Sequence, residues 1–146
     1  MKTIKNILAI ITILLVSGCD ETKKVIDTAG NIQLSGSYTI TSLGENAVSG
    51  DELFISFFAL DKTVRGNTGC NSFFGNYALD LYALSFSEIG STEKACETDI
   101  MDNEIAFLNA LNNTGSYTLQ EKELTLFSKV DRSVLLKAMK NTRDQE

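Results

Sequence analysis

The hydrophobic positions of the chain follow a strand-like period for most of its length, broken once by a helical one. In "GSYTITSL" (36–43), Tyr38 and Ile40 alternate with threonine and serine, which predicts a half-buried strand. "DELFISFFAL" (51–60) predicts a stronger strand, apolar on both faces in its second half. "DKTVRGNTG" (61–69) continues after a turn at Asp61-Lys62, and "NYALDLYALSFSEI" (76–89) is rich in strand formers, with Asp80 marking a turn. In "TDIMDNEIAFLNALNN" (98–113), Ile100, Met101, Ile105, Leu108 and Leu111 recur every three or four residues, the pattern of an amphipathic helix. Thr98 or Asp99 is placed to cap its start, acidic residues favour its first turn, and Asn113 and Gly115 end it. "GSYTLQ", "ELTLFSKV" and "SVLLKA" then predict three short strands around turns at Glu121-Lys122 and Asp131-Arg132. Strands, one helix, then strands predict a small α+β fold: a curved, mainly antiparallel sheet or barrel with one packed helix.

The first residues follow another pattern. Lys2 and Lys5 precede the ten-residue apolar run "ILAIITILLV" (7–16), too short for a membrane-spanning helix, which needs about 20 residues. The run has the length of a signal-peptide core and ends in "VSGC" (16–19), small residues followed by cysteine. "VSGC" resembles the bacterial lipobox, in which the cysteine receives diacylglycerol and becomes the mature N-terminus. Residues 1–18 then form a lipoprotein signal peptide with Cys19 as the lipidation site. Residues 19–34 form the lipidated N-terminus and a polar flexible tether, 35–140 the domain, and 141–146 a polar tail.

Removing Lys2 and Lys5 leaves 11 of the 13 basic residues against 19 acidic ones, a net charge of −8. An acidic chain has no electrostatic footprint for nucleic acid. It also lacks a polybasic segment for anionic lipid, so membrane attachment rests on the Cys19 lipid. With Cys19 acylated, Cys70 and Cys96 remain of the three cysteines. Two cysteines in an exported, oxidising setting suggest one disulfide; the other reading is two separately buried thiols. Closing a loop of about 26 residues would stabilise the domain by roughly 3.5 kcal/mol in the chain-entropy picture.

Catalytic chemistry finds little material. The chain has no histidine, which removes Ser-His and Cys-His pairs and imidazole metal ligands. No C-x-x-C occurs, and "GNTGCNSFFG" lacks the lysine and strand-loop-helix setting of a phosphate loop. The pairs Asp99/Asp102 and Glu97/Asp102 sit where they favour a helix dipole. No enzyme activity, cofactor or metal is expected.

The densest local signal is "TGCNSFFGNY" (68–77). Gly69 and Gly75 permit backbone conformations that a Cβ forbids, and Asn71 is suited to bonding its own turn. Phe73 or Phe74 can drop into the sheet and anchor the loop. "GCNSFFGNY" followed by "STEKAC" resembles the paired signature of the META domain family, which includes the HslJ heat-shock proteins. Gly69, Cys70, Asn71, Gly75 and Tyr77 match its first part, and Thr92, Ala95 and Cys96 its second, with Lys94 where methionine is usual. Glu104, Phe107, Leu108 and Leu111 resemble the family's helix segment, and "YTLQEKELTLFSKVDRSVLLKA" its closing strands. Tyr38 stands where a tryptophan is common.

The resemblance covers residues 36 to 138. It implies an envelope protein, often a lipoprotein, linked in some members to heat shock, antibiotic resistance or virulence, with no catalytic residue to carry over. The expected function is a non-enzymatic structural, stress-response or binding module. It would be a monomer anchored to the membrane by its N-terminal lipid, with an envelope protein as possible partner. The acidic Asp20 after Cys19 accompanies inner-membrane retention in some bacteria and outer-membrane export in others; the resemblance favours the outer membrane. The alternative is a carrier or sensor holding a small apolar ligand in the curved sheet, lined by Phe54, Phe58, Phe73 or Phe86.

Overall fold

The computed structural model describes residues 29–49 and 52–141. The expected signal peptide, the expected lipidation site Cys19 and the last five residues lie outside them. The described chain opens on a helical segment, α1 (residues 29–34). It continues through β1 (Gly36–Leu43), β2 (Asn46–Ala47), β3 (Leu53–Phe58), β4 (Thr63–Thr68), β5 (Ser72–Asp80) and β6 (Ala83–Ser91). The main helix α2 (Thr98–Asn113) leads to β7 (Thr114–Gln120), β8 (Glu123–Ser128) and β9 (Val134–Lys140).

All strand pairings are antiparallel, in the order β1-β3-β4-β5-β6-β7-β8-β9, with β9 returning to β1. Eight strands therefore close into an up-and-down barrel, and β2 is a short addition to the edge of β1. Closure removes the open edges that a curved sheet would otherwise expose. The pairing of β6 with β7 is limited to Ala83 opposite Ser116, supplemented by the Tyr117 N–H donating to the Tyr82 carbonyl at 3.2 Å. α2 lies in this crossover and packs against β6, β4 and β1.

Side chains alternate inward and outward along each strand, as the pleat requires. Tyr38, Ile40, Ile55, Phe57, Val64, Phe73, Tyr77, Leu84, Leu124, Leu126, Leu136 and Ala138 fill the interior. Phe57 sits at its centre, with ring centroids 5.8 Å from Tyr38, 5.3 Å from Tyr77 and 6.0 Å from Phe86. Burial, and after it the neighbouring Tyr117, pushes the Tyr38 and Tyr77 phenols above their ordinary range. Both stay neutral at physiological pH.

The up-and-down order gives the barrel two distinct ends. The proximal end carries the start of β1, the finish of β9 and the β3–β4, β5–β6 and β7–β8 tips. The distal end carries the β4–β5 and β8–β9 connections and the start of α2. α1 lies against the proximal end: Leu34 is fully buried, its carbonyl accepts from the Tyr38 hydroxyl at 3.0 Å, and Gly30 faces Leu79 and Tyr117.

Several sequence expectations are corrected. Residues 29–34 belong to the packed domain rather than to a flexible tether, because Leu34 supplies an apolar plug. Asn141, expected in the polar tail, donates its N–H to the Ser37 carbonyl at 2.8 Å. The turn expected at Asp80 falls at Leu81-Tyr82, with Leu81 left-handed at φ 56°. α2 spans the expected residues, but Glu97 occupies the N-cap and makes no side-chain cap bond. Its C-terminus is closed by Thr114, whose N–H bonds Leu111 O and whose hydroxyl bonds Ala110 O at 2.7 Å; Gly115 is already in β7. The helix is also rotated from the face read by periodicity: Ile105 is exposed, while Glu104 is buried with Phe107, Ala110 and Leu111.

Candidate functional site

The glycine-bracketed stretch is a tight hairpin running directly into β5. Only residues 69–71 lie between β4 and β5. Gly69 has φ +93°, a conformation that a Cβ disfavours, and its N–H donates to Asn67 Oδ1 at 2.7 Å. Gly75 works differently from expectation. It has no left-handed backbone and lies within β5, at a register shift against β6. A Cβ there would fall 2.4 Å from Ile89 Cδ1 and 3.1 Å from Ser87 O, so a close approach of two strands requires the glycine. Strand alternation separates the two phenylalanines: Phe73 is 2 % exposed and Phe74 62 %. Phe73 packs edge-on against Phe107 of α2, centroids 5.1 Å apart.

Asn71 was expected to serve its own turn. Its side chain instead reaches across three segments. Oδ1 accepts from the Thr92 hydroxyl and from the Lys94 N–H, both at 2.8 Å. Nδ2 donates to the Lys94 carbonyl at 3.2 Å and to Glu104 Oε2 at 2.9 Å. The Thr68 hydroxyl also donates to Glu104 Oε2 and accepts from the Asn71 N–H at 3.0 Å. The buried carboxylate thus has hydroxyl and amide donors, and every polar group of the Asn71 side chain is used. Beside this network, Cys70 and Cys96 form a disulfide with Cα atoms 6.1 Å apart. One hairpin is therefore joined to the segment before α2 by a covalent bond and to α2 itself through a buried carboxylate.

The remaining signature positions have distinct places. Tyr77 is interior, and its hydroxyl finds no protein partner. Thr92 and Ala95 lie on the exposed segment before α2, Thr92 held by Asn71. Lys94 contributes its backbone N–H and carbonyl, with its side chain exposed, so the exchange for methionine leaves the lock unaltered. Glu104 is the residue that sequence reasoning undervalued. Its place in the helix motif was noted, but a glutamate in an amphipathic helix ordinarily faces water. Its partners, Thr68 and Asn71, come from another hairpin.

The sequence model of the META domain matches residues 31–140. The chain belongs to the META domain family. A protein from Burkholderia xenovorans, solved by NMR, superimposes on it with a TM-score of 0.64 and 25 % identity, over 80 % of this chain and 89 % of that one. A DUF4847 family protein from Bacteroides vulgatus superimposes at 0.56 with 18 % identity, over 80 % of this chain and 99 % of that one, and shares the fold. No curated protein matches significantly.

Among the described residues of the META domain, an open apolar surface lies on the outside of β3, β4 and β5. A groove of about 690 Å³ is lined by Phe54, Phe58, Arg65, Phe74, Asn76 and Glu88, among others. The Arg65 guanidinium sits 5.5 Å from the Phe58 ring centroid, a cation–π contact, and Asn76 bonds Glu88 across the strands. Of the four phenylalanines expected to line an internal pocket, Phe54 and Phe58 thus line the outer groove. Phe73 is buried in the core against Phe107 and backs the groove floor, and Phe86 packs against the core. Among the described residues no group of three or more His, Cys, Asp or Glu side chains could hold a metal ion, and no helix is long and apolar enough to cross a membrane.

Proposed function

We propose that the chain is a lipid-anchored cell-envelope protein whose META domain is a non-enzymatic binding module. The observation that carries this reading is the contrast between a barrel interior occupied by packed aromatic rings and the open groove outside it. The signature residues spend their polarity on one another, so Asn71, Glu104 and Thr68 are holding the fold rather than waiting for a substrate. A carrier of a small apolar ligand would need the space that Phe57, Tyr38, Tyr77 and Phe86 occupy. The groove is open rather than enclosed, which suits an apolar side chain of a partner polypeptide better than a whole small molecule.

Anchoring rests on the basic head, the short apolar core and "VSGC" agreeing in position, with Cys19 as the acylated residue. Outer-membrane residence, a monomeric state and a role in envelope stress belong to the same reading. The experiment is photocrosslinking in the native envelope from a benzoylphenylalanine placed at Phe74, with a second probe at the exposed Ile105 of α2 as control. A discrete adduct from position 74 alone supports the groove as the binding surface. The same adducts from both positions, or none from 74, reject it. Acyl labelling that survives Cys19→Ala would reject the anchor.

A further inference from the structure

Exposed apolar side chains gather at the proximal end of the barrel. Leu60, in the β3–β4 tip, is 99 % exposed; Tyr82, in the β5–β6 tip, is 78 % exposed; Ile32, on α1, is 66 % exposed. Single exposed apolar residues are ordinary. These three come from separate elements and share one end because the strands run up and down in order. That end is also where the chain arrives from Cys19. Nine residues, a span of ten Cα-to-Cα steps, separate Cys19 from the first described residue, Ala29. Fully stretched, they reach about 35 Å. A random coil of that many steps averages roughly 17 Å. An acyl chain at Cys19 therefore holds the proximal tips close to the bilayer.

The charges beside these tips come in both signs: Asp61 with Lys62, and Glu121 with Lys122. Such a surface has no preference for anionic lipid. A leucine, an isoleucine and a tyrosine supply the apolar bodies and the polar ring tip that suit a headgroup boundary. We propose that the proximal end of the barrel lies against a zwitterionic phospholipid surface, with Leu60, Tyr82 and Ile32 in the headgroup region. This rests on the lipid-anchor reading. It orients the domain: the outer groove then stands beside the membrane, and the disulfide-locked end faces away from it.

The chain contains no tryptophan, so one introduced residue is the sole indole reporter. The acylated protein is reconstituted in phosphatidylcholine vesicles with brominated acyl chains, as Leu60→Trp, Tyr82→Trp and Val130→Trp variants. Val130 lies in the β8–β9 connection at the opposite end and is 83 % exposed, so each change leaves the core untouched. The 60 and 82 probes are expected to lose about half their emission, since interfacial residues sit roughly 5–10 Å into the boundary. Position 130 keeps its emission, and high salt changes neither result. Intact mass before the measurement establishes acylation. Protein without lipid on Cys19 overturns the anchor and the proposal together. Acylated protein whose 60 and 82 probes are unquenched, or quenched no more than 130, overturns the orientation alone. Shielding of the same probes that depends on protein concentration and persists without vesicles would assign the face to a second copy and overturn it as well.

Discussion

The two ends of the barrel are closed by different physical means. At the distal end, α2 is held by directional bonds: Asn71 and Thr68 to Glu104, Asn71 to Lys94 and Thr92, and Cys70 to Cys96. At the proximal end, α1 is held chiefly by burial of Leu34, with the Tyr38 hydroxyl donating to the Leu34 carbonyl and the exposed Lys140 ammonium to the Gln33 carbonyl. Apolar burial is non-directional and tolerates sliding. Hydrogen-bond geometry and a disulfide do not. The difference teaches where the family signature acts: it fixes the position of a helix whose neighbouring strands, β6 and β7, hardly pair.

Phe73→Ala tests the comparison most severely. Losing its burial and its contact with Phe107 is expected to destabilise the domain by about 3–5 kcal/mol in urea titrations. Phe74→Ala, one residue away and outward, should leave the midpoint nearly unchanged. Equal effects would mean that the strand register is wrong. Replacing Cys70 and Cys96 together by alanine should remove about 3.5 kcal/mol, read as a lowered melting midpoint. An unchanged midpoint would show that the hydrogen bonds alone fix the distal end.

Asn71→Ala leaves the Glu104 carboxylate and the Lys94 backbone short of partners, and about 2–3 kcal/mol of stability should be lost. Adding Glu104→Leu to that variant should recover part of the loss, since an apolar side chain leaves no buried charge to satisfy. A purely additive double variant would contradict the network. Tyr77→Phe removes a buried hydroxyl without a protein partner and should be neutral or stabilising by up to about 1 kcal/mol.

The smallest expected effect is at Asp131, in the β8–β9 turn. The Ser128 hydroxyl, then the Ser133 N–H and hydroxyl, lower its carboxyl to about 2. Its folded value lies below the ordinary 3.8, so the stabilising contribution is complete above about pH 4 and is lost as pH falls through about 2. Amide exchange at Ser133 should accelerate across that window in the parent. Asp131→Asn should flatten the dependence.

Much of this architecture was legible in the sequence, and the exceptions share a cause. Strand alternation identified Tyr38 and Ile40 as inward, and the three-to-four spacing bounded α2 correctly, because each is a local pattern. The cysteine pairing, present as the Cys70–Cys96 disulfide, was expected from the number of cysteines and from the exported setting that the N-terminal pattern suggests. The choice between Phe73 and Phe74 depended on register, and the direction of the Asn71 side chain depended on segments 21 to 33 residues away. Glu104 was hidden for the same reason: its burial depends on a hairpin that local periodicity does not see. The outer groove was missed because a phenylalanine-rich strand resembles core from its composition alone, whichever way each ring points.

Joining β1 to β9 has a consequence for how the molecule comes into being. Tyr38 lies opposite Lys140, and the Thr39 hydroxyl bonds Asn141 across 102 residues of sequence. Until Val134–Lys140 is available, the sheet has two free borders and no circumference. Such a distant pairing repays its loop-closure entropy late, which slows folding. A polypeptide passed through a narrow pore from its N-terminus would therefore stay threadable until Val134–Lys140 emerges, and become a barrel only after that strand is released.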